Sequence, residues 1–63
     1  MRYTVVKENG NYLDGEAFEK VVDAVQCDKT NCVVAGYKVN ILEVVIDDVD
    51  HCVVKVEVEG IDV

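Results

Sequence analysis

Hydrophobic and polar residues alternate along much of this chain, and the places where the alternation breaks divide it into elements. Residues 2–8 put Tyr3, Val5 and Lys7 on one face and Arg2, Thr4, Val6 and Glu8 on the other, the period of a strand. Asn9-Gly10-Asn11 then signals a turn. Asp14 is the best helix start in the sequence, because its carboxylate can accept hydrogen bonds from the free N–H groups of a first turn. Leu13 before it and Phe18 after it fit a hydrophobic staple. Phe18, Val21, Val22 and Val25 recur at helical spacing, which predicts a buried stripe and a helix ending near Gln26 or Cys27.

Valines return at strand spacing from Cys32. Val33, Ala35, Tyr37, Val39 and Ile41 share one phase, and Leu42, Val44 and Ile46 take over the other. A strand cannot exchange faces without an extra residue or a turn, so a bulge is expected near Asn40-Ile41, or two strands divided around Gly36. Asp47-Asp48-Val49-Asp50 reads as a hairpin loop. The last strand, 52–59, turns Cys52, Val54, Val56 and Val58 inward and Val53, Lys55, Glu57 and Glu59 outward. The expectation is a single α+β domain over residues 1–63, with one helix packed on an antiparallel sheet of three to four strands (β-α-β-β, with a possible further strand). The outer face then carries Val6, Val45 and Val53 among charges, a candidate dimer or partner surface.

Composition supports a globular chain and narrows its function. Of 63 residues, 51% are hydrophobic, there is no proline, and no apolar run is long enough for a transmembrane helix. The polar start from Met1 to Glu8 does not read as a signal peptide, which predicts a cytoplasmic protein. A core this small leaves little room for a substrate pocket, which argues against an enzyme. Net charge is −7 and uneven: residues 1–38 carry six acids and five bases, whereas residues 39–63 carry seven acids and only Lys55. Such a surface repels phosphate, so direct nucleic-acid binding is disfavoured and a basic protein surface is the expected partner.

Four groups of residues invite chemical readings. The segment 9–18 resembles part of a calcium-binding EF-hand loop, but with Leu13 at the apolar eighth position Val6 falls on the first ligand position and Ala17 where a bidentate Glu is required. A strand-to-helix turn capped by Asp14 explains the same residues. Cys27, Cys32, His51 and Cys52 are chemically suited to zinc, but their spacing is poor, and adjacent His51 and Cys52 on a strand point to opposite faces. Three cysteines are an odd set for a disulfide scaffold, and Cys52 in the inward phase behaves as a small hydrophobe. Cys27 with His51 does not make a nucleophile–base pair, since a helix C-terminus disfavours a thiolate, and a lone histidine beside a hairpin is usually exposed. No metal or cofactor is expected.

The acidic set is the fourth group and the most informative. Glu43, Asp47, Asp48, Asp50, Glu57 and Glu59 all fall on the proposed C-terminal hairpin, with Tyr12 as an exposed aromatic anchor and Tyr37 in ordinary core packing. The carboxylates either keep a valine-rich chain in solution or wait for a basic partner. The second reading implies an inhibitor or regulator that mimics the charge of nucleic acid. Small acidic inhibitors of phages and mobile elements share this size and charge, and the analogy goes no further. Two alternatives are a structural module acting as a homo-oligomer, such as a homodimer through the outer valine face or an open sheet edge, and a small zinc or thiol protein.

Overall fold

The computed structural model describes residues 1–8 and 15–60. The elements are β1 (Arg2–Lys7), α1 (Gly15–Gln26), β2 (Asn31–Val34), β3 (Tyr37–Asp48) and β4 (His51–Gly60). They form one four-stranded sheet of order β1-β4-β3-β2 with the helix on one face, the α+β class expected from the alternation. β2, β3 and β4 are antiparallel neighbours. β1 lies parallel to β4, so the sheet is mixed rather than wholly antiparallel. The helical crossover after β1 makes this possible, since parallel neighbours need a long connection. The proposed capping residues Leu13 and Asp14, the anchor Tyr12 and the turn at Asn9-Gly10-Asn11 lie outside the described residues.

The helix buries Ala17, Val21 and Ala24, with Val25 packed partly against the core. The buried line is thus centred on Val21 and two alanines, not on Phe18 and Val22, which are half-buried. Small alanines let the helix backbone approach the sheet closely. Opposite them, Val34, Val39, Cys52, Val54 and Val56 are buried, and Val21, Val39, Val54 and Val56 are almost wholly enclosed. Full burial of one such valine stabilises by about 1.5–3 kcal/mol.

Three backbone details explain how the chain folds back on itself. At the end of α1, Lys29 N–H donates to the Ala24 carbonyl and Asp28 N–H to the Val25 carbonyl, with Asp28 at φ 58°. This is a Schellman cap with aspartate in the position glycine usually takes. Between β2 and β3, Val34 pairs with Tyr37, and the two residues between them, Ala35 (φ 47°) and Gly36 (φ 85°), both have positive φ. That is the two-residue type I′ turn whose twist suits a hairpin. Within β3, Ile41 pairs with Val56 but Glu43 with Lys55, so Leu42 is an extra residue. Both the division at Gly36 and a bulge near Ile41 are therefore present. The bulge returns Val44 and Ile46 to the face of Val54 and Cys52, resolving the change of apolar phase.

Val33 departs from the expected phase. The turn at Ala35-Gly36 reverses the chain, so it is Val34 that is buried, while Val33 opposes Lys38 on the outer face. Tyr37 keeps the register of Val34 but stands at the end of the sheet and is 53% exposed, not packed in the core.

Candidate functional site

β1 and β2 are short and pair with opposite halves of the long β3–β4 hairpin. β1 runs beside His51–Val56 of β4, and β2 runs beside Tyr37–Asn40 of β3. The last bond on the β2 side joins Ile41 N–H to the Thr30 carbonyl. Among the described residues, no strand lies beside Leu42–Asp48 on that side. Seven residues of β3 therefore form a bare sheet edge about 23 Å long, at the usual rise per residue. The apolar side chains along it are uncovered: Leu42, Val44 and Val45 are each more than 40% exposed and Ile46 is 70% exposed. Val49, at the turn beyond, is 90% exposed.

The acidic residues fall into two groups along this hairpin. Glu43, Asp47 and Asp48 belong to the bare part of β3, and Asp50 follows in the turn. Glu57 and Glu59 stand on the outer face near the far end of β4, where they oppose Asn40 and Lys38. The two ends are separated by about 20 Å, from the strand rise between positions 51 and 57. The six carboxylates thus share one hairpin without forming one compact cluster. Several have partners: Lys55 Nζ lies 3.5 Å from Glu43, Arg2 3.6 Å from Asp50, and Asn40 Nδ2 donates to Glu59 at 2.7 Å. These groups are largely exposed, and exposed pairs contribute at most about 1 kcal/mol, so they leave the carboxylates free to change partners.

The histidine departs from expectation. His51 is tucked against the outer face with its side chain 19% exposed. Its Nδ1 lies 3.2 Å from Asp47 Oδ2 and its Nε2 2.7 Å from Thr4 Oγ1. The order Asp–His–Thr is that of an acyl-transfer triad, but a triad also needs donors for an oxyanion and a substrate cleft. Thr4 and Asp47 are exposed on an open sheet face. What the arrangement does visibly is tie β1 to β4 and to the end of β3. Sequence spacing could not reveal it, since Thr4 and His51 are 47 residues apart.

The cysteines occupy three environments: Cys27 is exposed after the helix, Cys32 is half-buried on β2, and Cys52 is buried. Burial pushes the Cys32 thiol above its ordinary pKa, opposed by the charge of Lys20. His51 and Cys52 do face opposite sides of the sheet. No helix among the described residues is long and apolar enough to cross a membrane.

Comparison with known protein families, with characterised proteins and with solved structures yields no match.

Proposed function

We propose that this chain is a small acidic protein-binding module that inhibits or regulates a partner by occupying a basic surface on it. The observation that carries the reading is the excess of negative charge on an exposed hairpin: β3, β4 and the turn between them hold six acids against Lys38 and Lys55. Basic surfaces that attract such charge commonly serve nucleic-acid binding, so a nucleic-acid-acting protein is the natural class of partner. Carboxylates would steer the encounter, and neighbouring valines would hold the complex by burial. Affinity capture on the immobilised chain with stepwise salt elution, followed by titration of each eluted protein, tests this. A basic partner whose affinity falls at least about tenfold between 50 and 300 mM salt is expected. An acidic partner, or an affinity indifferent to salt, would overturn it.

A second reading has its own observation. The outer face exposes Val6, Val33 and Val45 beside half-buried Val53, with no layer of described residues over it. Self-assembly through this face would give a homodimer. Sedimentation equilibrium across a hundredfold range of concentration decides between a monomer and that dimer.

A further inference from the structure

We infer that the bare edge of β3, Leu42–Asp48, is a strand-addition site for an extended segment of a partner protein in which apolar residues alternate with lysine or arginine. The inference rests on the acidic-binder reading and names the element that does the binding. Three observations converge. First, β3 is twelve residues long, whereas β2 covers only its first four. Beyond Ile41 the edge presents backbone N–H and C=O groups that an incoming strand could pair, the basis of peptide recognition by sheet extension. Second, this stretch exposes apolar side chains on both faces: Val44 and Ile46 on the helix side, Val45 on the other. At its near end it opens into a groove of about 360 Å³ lined by the apolar Val25, Ile41, Leu42 and Val44 together with Thr30 and the charged Asp28, Lys29 and Glu43. A guest strand could seat an apolar side chain there. Third, Glu43, Asp47 and Asp48 are spaced along the same edge and Asp50 follows it.

The charges select the occupant. Natural proteins guard exposed edges with charged side chains and bulges, and this edge has both. Two copies paired edge to edge would bring six carboxylates onto strands about 5 Å apart, which is repulsive whatever the register. The same carboxylates attract a cationic strand. One set of side chains therefore rejects a second copy and admits a basic guest, as specificity requires.

The test uses the full chain, isotopically labelled, and a synthetic ten-residue peptide alternating valine and lysine. Two further peptides keep its side chains and charge but carry N-methyl groups on one or the other alternate set of amides. Sheet extension uses one set of guest N–H groups and leaves the other toward solvent. The expected result is slowed amide exchange confined to residues 41–49, with one N-methylated peptide binding at least about tenfold more weakly and the other within about twofold. Equal binding of both N-methylated peptides, or protection elsewhere on the chain, overturns the edge site while leaving the acidic-binder reading intact. Failure of any cationic peptide to bind at 50 mM salt overturns both. Protection of 41–49 without peptide, growing with protein concentration as the mass doubles, assigns the edge to a second copy and overturns the basic guest.

Discussion

Val54 shows how much of the stability one side chain carries. It is fully buried between Val5 of β1 and Val44 of β3 in register, beneath the helix. Val54→Ala should cost about 2 kcal/mol, read as a lower urea midpoint with unchanged slope. A domain of this size holds only a few kcal/mol in total, so the variant should be near its folding limit. The thiols form a graded series. Exposed Cys27 should react first with a thiol-specific disulfide reagent, half-buried Cys32 more slowly, and Cys52 only when the chain opens. The raised pKa of Cys32 means that folding favours its neutral form. That contribution is whole below the ordinary thiol pKa and is lost as pH rises through the raised one. Cys32→Ala should therefore flatten the alkaline decline of stability, and an unchanged decline would show that Cys32 takes no part.

At the scale of the elements, two turns place residues in left-handed backbone, Asp28 in one and Ala35-Gly36 in the other. Asp28 occupies the left-handed position of the helix cap, and it places an acid at the negative end of the helix dipole. Asp28→Gly should raise stability by about 0.5–1 kcal/mol. Gly36→Ala should lower it by about 1 kcal/mol, since φ 85° is strained for any residue with a Cβ. Thermal midpoints of the two variants, moving in opposite directions, check both. The elements themselves were legible in the sequence because alternation in β1 and β4 is clean and the helix has a plain apolar stripe. The conflict of phase around Leu42 correctly announced a bulge. Strand direction and order were not legible: nothing in the pattern of β1 says whether it runs with or against its neighbour. Nor could alternation show that β2 would begin only at Asn31, opposite Asn40, and leave β3 bare from Leu42 onward. The expected hairpin loop, Asp47-Asp48-Val49-Asp50, begins two residues too early. Asp47 and Asp48 are polar, but they remain in the strand, and only Val49 and Asp50 make the turn.

Across the whole molecule, charge is the dominant feature. With net charge −7 and three weak ion pairs among the described residues, repulsion exceeds attraction over the surface. Added salt should therefore stabilise the chain, raising its melting temperature by a few degrees between 10 and 300 mM sodium chloride, about 0.5–1 kcal/mol. A falling melting temperature would mean that the ion pairs matter more than the excess charge. The sequence showed that the acids gather on one hairpin. It did not show that they divide between a bare edge and the far end of β4, since that depends on where the neighbouring strands stop. Position, not total charge, is what separates a binding surface from a merely solubilising one.

Two triple variants with the same change in charge test that claim most directly. Glu43→Gln/Asp47→Asn/Asp48→Asn neutralises the β3 edge, and Glu16→Gln/Glu19→Gln/Asp23→Asn neutralises the exposed side of the helix. Affinity for the valine–lysine peptide, measured by calorimetry at 50 mM salt, should fall at least about tenfold in the first and stay within about twofold in the second. Equal losses in the two variants would contradict the account, because the peptide would then be sensing bulk charge and not the hairpin edge.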